Sequence, residues 1–233
     1  MEVEAKYDLN KVEEYKFWSE YWQAGQDIAA WQAVPESRKV LDMLAVYFDT
    51  EDCALSENYI SLRLRKEGSK LKLNLKQDLA HSGALSERKE WEYDLSKDYA
   101  EPLILERFTA ELPNLLKAKA AENPDLADFL QPLQEKTFIE LGRIDFSRLI
   151  IDYQKPMLAA DDSMNIAPKL EWSLDHGFFY AGQHSEEFAE MEFELKEGKV
   201  SDLQELLKEL PKIRAVNAQS LSKRARLQSL CEA

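Results

Sequence analysis

Cysteine is scarce in this chain of 233 residues, which contains only 2. Cys53 and Cys231 lie far apart and outside any ligand-like spacing, so we expect neither a disulfide framework nor a zinc site. A reducing cytoplasm is the predicted compartment. No apolar run approaches the ~20 residues of a membrane span, and the charge alternation that starts at Glu2 is not typical of a secretory signal. We therefore expect no membrane association.

Glycine and proline are also sparse, with 7 and 8 residues, and no linker rich in either divides the chain. Internal repeats and low-complexity stretches are missing as well. The hydrophobic share of 45% and the charged share of 32% are typical of a globular protein. We predict one domain, with a main body of residues 1–200 and C-terminal helices of residues 201–233 that belong to it.

The chain lacks an excess of basic residues, and its net charge is −14. This charge weighs against nucleic acid as a partner. A G-x-x-x-x-G-K-[ST] phosphate loop is also missing, which excludes a P-loop mechanism, and so is the glycine fingerprint of a Rossmann domain. A local cluster of Lys and Arg is still compatible with an acidic chain, because net charge does not determine how charge is arranged along it.

Two kinds of periodicity divide the sequence. Apolar residues at helical spacing predict helices over residues 9–34, 99–122 (interrupted near Pro113), 201–210 (with Ser201 as N-cap) and 220–230. Alternation with period two predicts strands over residues 2–6, 44–49, 59–66, 70–76, 88–95, 144–153, 168–174, 178–181 and 188–196. The pattern indicates many antiparallel strands covered by a few helices.

The charged residues of these strands are sorted by sign. Residues i and i+2 of a strand share a face, and Arg63, Arg65, Lys72 and Lys76 make the same face of two neighbouring strands cationic. The first and last strands carry mainly glutamates on the corresponding face. Any one strand is explained by a charged face in water, but like charges opposite one another destabilise a sheet. Rows of one sign therefore indicate a ligand of the opposite sign between them.

The apolar faces of the same strands need a covering layer, which the helices can supply. The charged faces then point into a barrel, whose polar interior must hold water, ions or a ligand. Converging Lys and Arg suit a polyanion, and glutamates are hard oxygen ligands suited to Mg²⁺ or Mn²⁺. Together these groups favour phosphoryl transfer.

Eight short segments, in order along nearly the whole chain, match the signature of one known family. They are E-V-E-A-K at 2–6, Y-F-D-T at 47–50, L-R-L-R at 62–65, Lys76, R-K-E-W-E at 88–92, D-F-S-R at 145–148, an L-D-x-G turn at 174–177 and E-M-E-F-E-L-K-E-G at 190–198. This ordered set resembles the CYTH family, also called triphosphate tunnel metalloenzymes. The resemblance implies an α+β fold with an eight-stranded antiparallel closed barrel, a tunnel with a charged interior and covering helices.

The same resemblance implies an enzyme that hydrolyses or cyclises triphosphates with Mg²⁺ or Mn²⁺. The segments around Asp49, Arg88 and Asp175 are most similar to those of bacterial inorganic triphosphatases, so the expected reaction is metal-dependent hydrolysis of tripolyphosphate to pyrophosphate and phosphate. The alternatives are a thiamine triphosphatase, a class IV adenylate cyclase and a polyphosphate-binding module without catalysis. Trp91 and Trp172 are expected on the outer, helix-facing side, which favours a substrate without an organic group.

The resemblance assigns roles to the inward-facing charges. The expected phosphate-binding residues are Lys6, Arg63, Arg65, Lys72, Lys76, Arg88 and Arg148. The expected metal ligands are Glu2, Glu4, Glu92, Glu192 and Glu194. The expected catalytic residues are Glu2, Glu4, Lys6, Glu90, Glu171 and Glu190, among which a supporting carboxylate orients the attacking water.

Two features stay open at this point. The C-terminal helix with Lys223, Arg224 and Arg226 either plugs one tunnel mouth or forms a solvated tail. Outer apolar residues and the long helices are compatible with a homodimer, although nothing in the sequence requires one.

Overall fold

The structure is a computed structural model that describes residues 2–9, 11–82, 85–95, 105–133, 136–156 and 167–231. The strands are β1 Glu2–Asp8, β2 Gln32–Thr50, β3 Ile60–Glu67, β4 Lys70–Ser82, β5 Leu85–Asp94, β6 Phe138–Gln154, β7 Lys169–Ala181, β8 His184–Glu197 and β9 Asn217–Ala218. The helices are α1 Val12–Ala24, α2 Ala54–Glu57, α3 Leu105–Glu122, α4 Pro124–Leu130, α5 Val200–Ile213 and α6 Lys223–Cys231, and a 3-10 turn spans Gln131–Leu133. Within these ranges, no helix is long and apolar enough to cross a membrane.

The strands form one antiparallel sheet of nine, in the order β5-β4-β3-β2-β6-β7-β8-β1-β9. Strand β1 also pairs with β5, with Glu2 opposite Arg88 and Ala5 opposite Leu85. The ninth strand, β9, is a two-residue addition beside Tyr7 and Asp8. The predicted α+β class with an antiparallel sheet is confirmed.

The first helix is shorter than the spacing of its bulky residues predicts. It ends where Gly25 takes the left-handed conformation, with φ of 61°, a conformation that commonly terminates helices. From Gln32 onward the chain pairs with Gln154 and its neighbours as the start of β2. The prediction of a helix to residue 34 is therefore wrong, because pairing with β6 outweighs the local helical pattern.

Strand β7 is one strand, whereas the sequence pattern predicts two strands joined by an L-D-x-G turn. His176 and Gly177 are paired on both sides, with β6 and with β8. A Cβ atom on Gly177 would lie 2.1 Å from the Asp145 carbonyl oxygen and 2.5 Å from the Phe146 Cα. The glycine is therefore required by the close approach of β6 and not by a turn.

The other helices differ from expectation in detail. Pro113 lies inside a continuous α3 and does not interrupt it, and the predicted start at residues 99–104 falls outside the described residues. Helix α5 begins one residue before Ser201, and its first turn is closed by the Asp202 carboxylate, which accepts the Lys199 backbone N–H at 2.8 Å. A short α4, which the sequence pattern does not predict, follows Asn123, whose side chain caps it.

Two apolar layers cover the outside of the sheet. Helices α1 and α5 pack on β1, β7 and β8, where the Trp18 and Trp172 rings meet edge to face at 5.9 Å between centroids. Helices α3 and α4 pack on β3, β4 and β5, where the Trp91 and Phe129 rings lie 4.6 Å apart. The predicted outward orientation of Trp91 and Trp172 is confirmed.

A third apolar cluster lies on the inner side of the sheet, where the sequence predicts only charge. It joins Tyr47 of β2, Phe146 of β6 and Phe188 of β8 to Leu227 of α6, which is fully buried. The side chains facing inward from β2 and β6 are thus apolar toward one end and charged toward the other. This division positions the site described below.

Replacing Gly177 by alanine should lower the free energy of unfolding by about 1–3 kcal/mol or more, because the added methyl overpacks the β6–β7 contact. Urea denaturation followed by circular dichroism measures the change. Gly182→Asn is the matched control, because a Cβ at Gly182 meets nothing within 4 Å and asparagine tolerates its positive φ. Equal stability of the two variants would contradict the packing assigned to Gly177.

Candidate active site

A cavity of about 160 Å³ opens on the inner side of the sheet. Its charged lining comes from five strands and from the start of α6. The lining cations and carboxylates are Lys6, Arg63, Arg65, Lys76, Arg148, Lys223 and Arg224 with Glu4, Glu192 and Glu194. The alternation of β1, β3, β4 and β8 places these side chains on one face, as the sequence predicts.

The cationic wall is formed by β3 and β4. Arg63 and Arg65 stand two residues apart on β3, and Lys76 of β4 is opposite Ser61. The Tyr47 hydroxyl lies 3.4 Å from Nη1 of Arg63. Burial would raise the pKa of Tyr47, yet the positive charges of Arg63, Lys223 and Lys76 lower it. The lowered pKa reports a positive potential at this wall.

Carboxylates of β5 border that wall. Lys76 Nζ lies 3.3 Å from Glu90 Oε2, and Lys72 Nζ lies 2.7 Å from Glu92 Oε1. Burial would raise the pKa of Glu92, but hydrogen bonds from Lys72 and Asn74 lower it. Lys72 and Glu92 do not belong to the cavity lining. They form a rim of ion pairs that holds the cationic strands in place.

The opposite wall is acidic and is formed by β1 and β8. Glu4 is directly opposite Glu194, and Lys6 is directly opposite Glu192. Lys6 Nζ lies 2.7 Å from Glu4 Oε1, and Glu194 is paired with Lys196 at 2.6 Å. Two facing glutamates on adjacent strands require nearby positive charge, so this wall is suited to a cation.

A second acidic group lies deeper, beside α6. One carboxylate oxygen from each of Asp175, Glu190 and Glu192 lies within 4.8 Å of the others. Arg148 donates from Nε and Nη2 to Asp175 at 2.7 and 2.6 Å and from Nη2 to Glu192 at 2.7 Å. Lys223 Nζ lies 2.9 Å from Asp175 and 2.8 Å from Glu192, and it also contacts Glu190. We call these five residues the Lys223 cluster.

The Lys223 cluster shifts the pKa of its members in different directions. Burial raises the pKa of Glu190 to about 7, against the opposing effect of Lys223. Burial would also raise the pKa of Glu192, but Lys223, Arg148 and Lys6 hold it well below the usual value. For Lys223, burial favours the neutral amine, yet the three carboxylates raise the pKa of the ammonium. Lys223 is therefore a fixed positive charge.

Helix α6 is anchored a second time through Arg224. Its Nη2 lies 2.8 Å from Oδ2 of Asp49, and it also contacts Ser56. Asp49 is 1% exposed and also accepts the backbone N–H groups of Thr50 at 2.7 Å and Leu55 at 3.0 Å. The sequence leaves open whether the C-terminal helix plugs a tunnel mouth or forms a solvated tail. In the structure this helix, α6, is not a solvated tail, because its basic residues and Leu227 are buried against the inner face of the sheet.

The structure distributes the predicted site residues over three places. Those that line the cavity are Glu4, Lys6, Arg63, Arg65, Lys76, Arg148, Glu192 and Glu194. Those that form ion pairs at its edge or beneath it are Lys72, Glu90, Glu92, Glu171 and Glu190. Glu2 and Arg88 are also predicted site residues, but their side chains are not among those that the structure describes.

Sequence reasoning missed three residues that contact the site: Tyr47, Asp49 and Asp175. Each of them continues an inward-facing series, since Tyr47 and Asp49 follow Ala45 on β2 and Asp175 follows Ser173 on β7. One sequence signal could have pointed to Asp49 and Asp175. The acidic chain carries the basic residues Lys223, Arg224 and Arg226 close together near its end, and two of them pair with these carboxylates in the structure.

Comparison with known proteins identifies relatives over most of the chain. The profile of the CYTH domain matches residues 1–227. An inorganic triphosphatase of Haemophilus influenzae is 30% identical over 182 residues, which are 77% of this chain and 43% of that protein. The chain thus spans less than half the length of that relative.

Solved structures show the same fold at low sequence identity. A proposed adenylyl cyclase from Hippeastrum with a dominant triphosphatase activity aligns with a TM-score of 0.62 at 20% identity, covering 98% of this chain and 96% of that chain. A proposed adenylate cyclase from Bacillus halodurans aligns with a TM-score of 0.54 at 18% identity, covering 97% and 96%.

Replacing Lys223 by methionine should lower the free energy of unfolding by about 3–5 kcal/mol, because it leaves buried carboxylates without their shared partner. Urea denaturation measures the loss. Lys208→Met on the exposed face of α5 is the control and should change stability by less than about 0.5 kcal/mol. Adding Glu190→Gln to Lys223→Met should recover part of the loss, and a double variant no more stable than Lys223→Met would contradict the cluster.

Proposed function

The chain belongs to the CYTH family, and on that basis we propose that it hydrolyses inorganic triphosphate to pyrophosphate and phosphate in the cavity described above. One observation carries the proposal: a cationic wall of Arg63, Arg65 and Lys76 and an acidic wall of Glu4 and Glu194 line the same cavity. A polyanion needs the first wall, and a divalent cation needs the second. A binder of polyanions alone would gain nothing from the glutamates, which repel its ligand.

We propose that the sheet acts as a closed tunnel around this cavity. The pairing of β1 with β5 supports closure, because it supplies the contact between the two ends of the strand order. The burial of α6 on the inner face supports the assignment of the helices after residue 200 to the same domain as residues 1–200.

The substrate's phosphate oxygens would be held mainly by Lys6, Arg63, Arg65 and Lys76. Arginine donates in a planar fork that matches a phosphate group, and lysine adds a point charge. Arg148 already donates from Nε and Nη2 to Asp175 and Glu192, so its share in phosphate binding is smaller. As a phosphoanhydride bond breaks, these fixed cations stabilise the charge that builds on the leaving phosphate.

The donor set of the acidic wall fits Mg²⁺ or Mn²⁺, because both ions prefer hard oxygen ligands. Glu4 and Glu194 would hold the ion, while Glu192 stands next to them with both oxygens already engaged by Arg148 and Lys223. Glu2, the further ligand expected from the sequence, has a side chain outside the described ones. The Asp175–Glu190–Glu192 group is a weaker candidate, since the Lys223 ammonium contacts all three carboxylates. A bound divalent ion supplies charge neutralisation on the phosphates and activation of water.

A class IV adenylate cyclase is the second candidate, because two of the aligned structures are described as proposed adenylate cyclases. Its chemistry would use the same walls, with the ribose hydroxyl in place of water as the nucleophile. With ATP as substrate the products distinguish the two reactions, since hydrolysis gives ADP and phosphate, whereas cyclisation gives cyclic AMP and pyrophosphate.

Lys76→Ala should lower kcat/KM for tripolyphosphate by about 100-fold or more, because one preorganised positive charge is lost from the phosphate wall. Malachite-green detection of released phosphate measures the rate. Lys70→Ala, which lies on the same strand at an exposed position, is the matched control and should keep the rate of the unchanged protein. Equal rates for the two variants would remove Lys76 from the site.

A chelator should abolish phosphate release from tripolyphosphate, and Mg²⁺ or Mn²⁺ should restore it. Glu4→Gln should raise the metal concentration needed for half-maximal rate about tenfold or more, whereas Glu209→Gln on α5 should not. The same assay with ATP and with thiamine triphosphate ranks the substrates. Cyclic AMP as the main product from ATP would favour the cyclase, and binding without turnover on any substrate would favour a polyphosphate-binding module.

A further inference from the structure

Tyr59 lies at the rim of the cavity, directly before β3. It is 73% exposed and belongs to the cavity lining together with Ser61, Arg63 and Arg65. Ser61, Arg63 and Arg65 share the cavity face of β3, and Tyr59 borders the cavity just before the first residue of that strand. The ring is thus the outermost member of the wall that carries the arginines.

The backbone of Tyr59 is strained. Its φ is +56°, in the left-handed region that bulky residues rarely occupy, and it follows α2 where glycine or asparagine is usual. The conformation is held by the Tyr59 N–H, which donates to Ser56 O at 3.1 Å, and by Asn58 Nδ2, which donates to Ala54 O at 2.7 Å. Strain at a non-glycine residue beside a binding site indicates a functional constraint.

The Tyr59 ring has no partner within the described part of the chain. No hydrogen bond of its hydroxyl and no ring contact is present among those residues, whereas Tyr15, Tyr21 and Tyr93 all contact neighbouring groups. Tyr59 belongs to none of the three apolar clusters described above. Its flat face is available to a ligand bound in the cavity.

The position of the ring relative to the phosphate-binding wall suits a ligand that carries a phosphate chain at one end and another group at the other end. Lys76 is opposite Ser61, two residues inward from Tyr59, and Arg63 is four residues inward, roughly 13 Å along the strand. Phosphates held by Lys76 and Arg63 would place any group attached to the outer end of the chain beside Tyr59.

We propose that Tyr59 is a specificity-determining residue that stacks on the base of a nucleoside triphosphate, so that the cavity accepts nucleotides in addition to inorganic triphosphate. This inference rests on the proposed function, because it requires the triphosphate to bind between Lys76 and Arg63. It differs from the expectation drawn from Trp91 and Trp172, which face the helices and leave no ring at the rim. Base–aromatic stacking contributes through the flat faces of both rings and does not require one particular base.

Binding of two non-hydrolysable probes tests the proposal by isothermal titration calorimetry with Mg²⁺. The probes are the β,γ-imido analogue of ATP and the corresponding imido analogue of tripolyphosphate. Tyr59→Asn should weaken binding of the ATP analogue by roughly tenfold, as expected for one stacked base, and should leave binding of the tripolyphosphate analogue unchanged. Asparagine removes the ring and tolerates the left-handed backbone, so the variant is expected to fold.

Two further variants keep the result interpretable. Tyr59→Phe retains the ring and should bind both probes as the unchanged protein does. Tyr180→Asn removes a tyrosine that is 40% exposed and lies beside Arg143 on the other side of the sheet, and it should also change neither affinity. Equal weakening of both probes by Tyr59→Asn, or no weakening of either, would overturn the stacking role. Absence of tripolyphosphate turnover in the unchanged protein would refute the proposed function separately, because the affinities are measured without turnover.

Discussion

The interaction on which the rest of the site depends is the contact of the Lys223 ammonium with Asp175, Glu190 and Glu192. Buried carboxylates that converge in this way repel each other, and unpaired buried charge is very costly. Arg148 neutralises part of the group, and Lys223 and Arg226 add positive charge from α6, a segment that is distant in sequence. The strands facing the cavity therefore cannot keep their acidic residues without α6.

The position of α6 divides the inner side of the sheet into two parts. Behind Lys223, the Leu227 side chain packs on Phe146 and Phe188 in an apolar cluster. In front of it, Ser222, Lys223 and Arg224 belong to the cavity lining. An apolar cluster excludes water and lowers the local dielectric, so each charge in front of it acts more strongly on a ligand.

Much of this arrangement could be predicted from alternation alone. Period two places Arg63 with Arg65 and Glu192 with Glu194 on shared faces, and the structure brings both pairs to one cavity. The partners of Lys223 could not be predicted in the same way, because Glu192 is 31 residues away in sequence and the contact is set by how a helix docks on strands. Local patterns also mislead at Gly177, where a motif with a glycine suggests a turn but close strand packing is the reason for the residue.

The sorting of charge makes the proposed binding of a polyanion compatible with a net charge of −14. Charges at the outer surface are screened over about 8–10 Å at physiological salt, whereas a cleft with low-dielectric walls concentrates the field of the charges that line it. The lowered pKa of Tyr47 agrees with such a field, since burial acts in the opposite direction and the nearby cations prevail. The carboxylates of β5 moderate it, because Glu90 pairs with Lys76 and Glu92 pairs with Lys72. A phosphate group would then replace a carboxylate beside a cation that is already in place, and the protein need not collect positive charge at the moment of binding.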